Sequence, residues 1–237
     1  MVNIKENWME VCDHASRAIE RSGRKQGDVL VLAVSKMHPL DYVLAGMDCG
    51  ITDFGENYAQ EMKDKQQEVV DKHLPQPSWH FIGHLQTNKV KYIAAYVKMI
   101  HSVDSVHLAK EISRQAELHD RDIDILLQVN TSGEESKSGC KPEEISELAA
   151  GTIVLPHIHV RGLMTIGSYS EDREVSVREF SLLKELRDKV SKEFPQNDFR
   201  ELSMGMSHDY ETAIELGATI VRVGTGVFGE RDYSQKK

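Results

Sequence analysis

Two rhythms of apolar and polar positions alternate along the chain. Strand-like segments, short and bounded by Gly, Pro, Asn or Asp, fall at 29–35, 51–54, 79–82, 98–103, 123–129, 157–163, 200–203 and 219–223. Segments with helical spacing lie between them, at 39–48, 56–72, 86–96, 105–119, 142–151, 175–193 and 208–216, and only a short tail follows the last strand. An opening stripe of Ile4, Trp8, Val11, Cys12, Ala15, Ala18 and Ile19 predicts a further helix that stops at Gly23. Strands that alternate with helices form parallel sheets, because the helix is the crossover that returns the chain to the same end. Eight such units in 237 residues predict an α/β fold, a single TIM (β/α)8 barrel with an extra N-terminal helix. A doubly wound open sheet is the alternative, but no G-x-G-x-x-G follows the first strand. The weakest connection, Lys72 to Ser78, reads as a loop, so residues 1–237 are expected to form one domain.

Composition narrows the function classes. A net charge of -9 argues against non-specific nucleic-acid binding and against anionic membrane surfaces. No apolar stretch reaches the length of a membrane span, and the start of the chain lacks the apolar region of a signal peptide. Cys12, Cys49 and Cys140 are far apart and match no metal-ligand spacing. Reduced thiols, a cytoplasmic location, no disulfide framework and no metal are the expectation. The histidines likewise show no metal-ligand pattern.

The unusual polar residues gather at the carboxyl ends of the expected strands, which in a TIM barrel converge on the face that carries active sites. Lys36 leaves the apolar run 29–34 just before the breaker Met37-His38-Pro39. A lysine there commonly snorkels to water. If it is instead desolvated, its charged form is disfavoured and it becomes an amine nucleophile. Ser203-Met204-Gly205-Met206-Ser207 is expected after the seventh strand and Gly224-Thr225-Gly226 after the eighth. Loops in those two places often hold phosphate, and glycines beside hydroxyls allow close approach to an anion. A helix starting near His208-Asp209 is expected to add positive field there. The alternative is that the glycines only make turns and Ser207 only caps a helix. Strand parity puts Ile220, Arg222 and Gly224 on one side, and Leu32, Val34 and Lys36 together. If those sides face inward, Arg222 is buried and needs a partner, either Glu201 or a ligand. A reactive amine, a phosphate cradle and an arginine facing both would fit pyridoxal 5'-phosphate (PLP).

Longer stretches carry a family resemblance. They are Leu32-Ala33-Val34-Ser35-Lys36, Phe54-Gly55-Glu56-Asn57-Tyr58, Trp79 to Lys89, Gln128-Val129-Asn130, Arg161-Gly162-Leu163-Met164-Thr165, Leu202 to Ser207 and Val221 to Gly229. With these the chain resembles the YggS/PROSC family of PLP-binding proteins, whose fold is like the N-terminal barrel of alanine racemase. The resemblance implies that Lys36 carries PLP as a Schiff base. It further implies that Ser203, Ser207, Gly224 and Thr225 contact the phosphate, Arg222 the ring nitrogen, and that Asn57 belongs to the pocket. Members are associated with intracellular PLP homeostasis, without an established catalytic reaction. Met37 stands where the family often has threonine, and Gly226 where alanine is common.

The leading expectation is therefore a PLP carrier or homeostasis protein, a monomer, with apo-PLP enzymes as acceptors. One alternative is a PLP-dependent amino-acid racemase. In alanine racemases the second base is a tyrosine from an added C-terminal domain, which this chain is expected to lack. Tyr58, Tyr169, Tyr210 and Tyr233 are the residues that could replace it. A Schiff-base sugar-phosphate aldolase, needing no cofactor, is a third class.

Overall fold

The computed structural model describes residues 2–170 and 172–230; Tyr233 lies outside them. Eight parallel strands close into a barrel in strict chain order. They are β1 (Leu30–Val34), β2 (Asp53–Glu56), β3 (Ser78–Phe81), β4 (Met99–Val103), β5 (Ile123–Gln128), β6 (Ile158–Met164), β7 (Glu201–Met206) and β8 (Ile220–Val223). Outside run α1 (Ile4–Arg21), α2 (Leu40–Asp48), α3 (Ala59–Asp71), α4 (Val106–Leu118), α5 (Ile145–Thr152), α6 (Arg173–Glu193), α7 (Tyr210–Glu215) and α8 (Thr225–Phe228). This is the TIM barrel with a leading helix that the alternation implies.

Period two sorts the strand residues into two cores. Inward-facing Leu32, Val34, Ile82, Met99, Leu126, Met164 and Ile220 pack the barrel interior. Outward-facing Ala33, Phe54, Trp79, Ile100, Leu163 and Val223 join the helices in the larger core. The parity expected for β1 and β8 holds, and Leu32 pairs with Arg222 across their shared edge. α1 lies behind the β8 end of the barrel. Its Asn7 donates to Val227 O, while Arg21 joins Glu211 and Glu215 of α7.

Two segments depart from the sequence expectation. Residues 86–96 do not form an α-helix. Thr87–Tyr92 is a 3₁₀ turn, with Lys89, Ile93 and Tyr96 amides bonded three residues back. Buried Val90 and Ile93 lie three apart, which suits a three-residue turn, and β-branched residues weaken the α alternative. β7 runs on to Met206 rather than ending at Ser203. A bulge makes this possible: Ser203 pairs with Ile220 but Met206 with Arg222, three steps against two. The extra residue is absorbed at Gly205, whose φ of 89° suits glycine. A Cβ there would lie 2.5 Å from Ala213 Cβ.

Candidate functional site

An open cavity of about 230 Å³ lies at the carboxyl ends of the strands. Its wall brings together Lys36, Asn57, Ser207, Arg222, Gly224 and Thr225. Val34, Ile82, Ile166 and Met206 form its apolar sides, and Tyr169 and His208 stand at the mouth with ring centroids 5.1 Å apart. No carboxylate lines it among the described residues.

The backbone that presents half-buried Lys36 is pinned on both sides. Ser35 N donates to Gly55 O, and Ser35 Oγ donates to Glu56 Oε1 at 2.7 Å. Met37 N donates to Glu61 Oε1 at 2.6 Å, which holds Met37 at a φ of 62°, a costly angle for a side chain without local hydrogen bonding. Buried Lys65 of α3 closes the cluster by donating to Ser35 O, Glu56 Oε1 and Glu61 Oε1. Burial pushes the Glu56 carboxyl up to about 7, against the pull of Lys65. This cluster, which holds the lysine loop from behind, has no short motif: Glu56, Glu61 and Lys65 acquire their roles only when α3 folds onto β1.

Asn57 follows β2 where the backbone of β3's end passes very close. A Cβ on Gly83 would sit 2.2 Å from Asn57 O, so only glycine fits. Asn57 Oδ1 is buried without a hydrogen-bond partner in the protein. A buried acceptor left so is costly unless a bound group supplies a donor. At the opposite wall Gly224 N donates to Ser207 Oγ at 3.2 Å, tying together the chain after β7 and the chain after β8.

Arg222 is 4% exposed. Nη1 donates to Ser203 Oγ and Nη2 to Thr165 O, each at 2.8 Å. Burial pulls its guanidinium down to about 10, opposed by the field of Asp209. Glu201 is not its partner, because that carboxylate accepts from Thr219 Oγ1.

Ser203 also differs from expectation. It sits within β7, wholly buried, and its hydroxyl is engaged by Arg222 and His101 below the cavity. It is not on the wall, so its assignment as a phosphate contact is withdrawn. The helix expected to add positive field is α7, only six residues long and preceded by the Asp209 carboxylate, which accepts from Met206 N. Sequence reasoning missed His101 altogether. The one available signal was parity, which places it on the inner side of β4 with Met99.

Comparison with known proteins places this geometry. Residues 4–232 match the family model for the alanine racemase N-terminal domain. A protein of Aquifex aeolicus named pyridoxal phosphate homeostasis protein is 44% identical over 232 residues, covering 98% of this chain and 100% of that protein. The structure of PipY from Synechococcus elongatus with PLP bound superposes with a TM-score of 0.80 at 33% identity, covering 91% of this chain and 100% of that one. Alanine racemase from Clostridium difficile, in complex with cycloserine, shares the fold with a TM-score of 0.73 at 13% identity. The match covers 94% of this chain and 61% of the racemase.

Proposed function

The chain belongs to the alanine racemase N-terminal domain family and, within it, to the pyridoxal phosphate homeostasis proteins, and from that premise we propose that it binds PLP on Lys36 and serves intracellular PLP homeostasis. The observation that carries the reading is the convergence of Lys36, Arg222, Ser207, Gly224 and Thr225 on one cavity. Lys36 Nζ is the amine that condenses with the aldehyde, with loss of water. Ser207 Oγ and the backbone at Gly224 and Thr225 receive the phosphate, and Arg222 donates towards the ring nitrogen. Asn57, with its unpartnered Oδ1, takes a donor from the bound group. When bound, PLP supplies an electrophilic carbonyl and an electron-withdrawing ring.

An arginine stays protonated and can only donate. It therefore leaves the ring nitrogen without a proton, which weakens the ring as an electron sink and favours holding over turnover. The weaker electron sink, together with the relatives named for PLP homeostasis, supports a carrier that passes its cargo to apo-PLP enzymes in the cytoplasm. No described helix is long and apolar enough to cross a membrane. The racemase reading differs in one respect: it requires exchange of the α-proton of an amino acid, which proton NMR in D2O would detect. The aldolase reading lacks a carboxylate base on the cavity wall.

The test is a visible spectrum of the protein with added PLP, then borohydride reduction and peptide mass mapping. A pyridoxyl group on Lys36 is expected. Lys36→Ala is expected to abolish that adduct while retaining weaker, phosphate-held PLP. An adduct on another lysine, or none on folded protein, would overturn the assignment.

A further inference from the structure

Beneath the cavity, side chains from five strands join in an unbroken polar line. Arg222 Nη1 lies 2.8 Å from Ser203 Oγ, and Ser203 Oγ 2.9 Å from His101 Nδ1. His101 Nε2 lies 2.9 Å from His80 Nδ1, and His80 Nε2 3.0 Å from Asp53 Oδ1. The His101–Ser203 bond crosses the barrel from β4 to β7. All five residues are buried, and Asp53 also meets Lys98 Nζ, half-exposed at the amino-terminal mouth, at 2.6 Å. No carboxylate touches Arg222 among the described residues; Asp209 acts on it only through space.

The two ends fix where each proton sits. Arg222 can only donate, so Ser203 Oγ accepts from it. Ionised Asp53 can only accept, so His80 Nε2 carries a proton. Burial would raise the Asp53 carboxyl, but bonds from His80, Lys98 and Thr52 hold it well below the usual range. A neutral His80 then has a bare Nδ1 and must accept from His101 Nε2. That leaves His101 Nδ1 bare, to take the Ser203 hydroxyl proton. Each contact has one donor and one acceptor, and with Asp53 ionised no other assignment with two neutral rings achieves this. The competing pattern needs a charged His80, which would set a third cation between Lys98 and Arg222 against one buried carboxylate. Burial disfavours it, holding both rings below the usual imidazole range.

We propose that Asp53, His80, His101 and Ser203 form a one-way hydrogen-bond relay that turns the Ser203 lone pairs towards Arg222 and so fixes the guanidinium under the cavity. These four are positioning residues; none reaches the cavity wall. In the PLP reading, on which this consequence rests, the relay sets the donor opposite the ring nitrogen from the far mouth of the barrel.

The first experiment is ¹⁵N-histidine long-range correlation NMR on the ligand-free protein at neutral pH. Neutral rings protonated at Nε2 are expected for both His80 and His101. A charged His80, or either ring protonated at Nδ1 instead, overturns the relay whether or not PLP binds. The second is Asp53→Leu, which removes the terminal acceptor at a distance from the cavity. With folding checked by circular dichroism, it should bring in the Nδ1-protonated form. It should also shift the visible band of bound PLP and raise its Kd about fivefold or more. Unchanged tautomers, or an unchanged band and Kd, in folded variant would overturn the proposed coupling. Ser203→Thr, which keeps the hydroxyl, should retain the wild-type band where Ser203→Ala loses it; equal behaviour of the two would count against the relay. Failure of the PLP reading itself would instead appear as no adduct on Lys36 of wild-type protein with the tautomers as expected.

Discussion

A buried guanidinium is tolerated only when its N–H groups are used, and this limits what can replace Arg222. Its fork meets Ser203 Oγ of β7 and Thr165 O, just past β6, at once, while still facing the cavity. A lysine ammonium is a single point with no fork and cannot keep both bonds and the cavity contact. Arg222→Lys is therefore expected to raise the Kd for PLP about tenfold, or about 1.4 kcal/mol, and to shift the visible band. A titration with the same Kd and band as wild type would remove the ring-nitrogen role. Lys36 and Arg222 could be singled out from sequence because each is a charged residue within or at the end of an apolar strand. The contacts that support them could not. Asp53, His80, His101 and Ser203 are scattered along the chain, and only barrel closure brings them into contact.

At the level of elements, the β7 bulge decides which residues reach the site. Without the extra residue, Gly205 would stand opposite Arg222 and Met206, which lines the cavity, would turn outward. Gly205 is the hinge of that bulge. Gly205→Ala places a side chain at positive φ and 2.5 Å from Ala213 Cβ. The expected loss is about 2 kcal/mol or more in urea unfolding, together with weaker phosphate-held PLP. Loss of stability with full PLP affinity would show that the bulge does not shape the phosphate side of the cavity. The same bulge explains why the sequence expectation ended β7 early. Glycine at 205 reads as a strand terminator, and a two-residue period cannot be followed through an inserted residue. The β/α alternation was legible because each strand and helix carries its own local period. The 3₁₀ turn at Thr87–Tyr92 was not, since its three-residue spacing mimics a helix face.

Across the whole molecule, the buried titratable groups oppose one another, and the pH dependence of stability should reveal it. His80 and His101 are held below their ordinary value by burial. Their stabilising contribution is fully present above about 6.5, the unfolded value, and is lost as pH falls and only the unfolded rings take up protons. Glu56 is raised by burial to about 7. Its contribution is present below about 4.3, the unfolded value, and is lost as pH rises through about 7. Asp53 is depressed and acts only below about 3.9, outside this window. Near pH 6 the unfolded histidines take up protons that burial keeps off the folded rings, while burial keeps a proton on folded Glu56. The histidines then make stability rise with pH, and Glu56 opposes that rise. This opposition should make the stability curve shallower towards neutrality than the histidines alone would give. Glu56→Gln keeps an oxygen for Ser35 and Lys65 but removes the opposing proton. Its stability should rise with pH more steeply than that of the wild type between pH 5.5 and 7.5. Urea unfolding of both proteins from pH 5.5 to 8 measures this directly. Parallel curves would mean that Glu56 is ionised throughout, and that the cluster behind the Lys36 loop is held as a fully charged triad with Lys65 and Glu61.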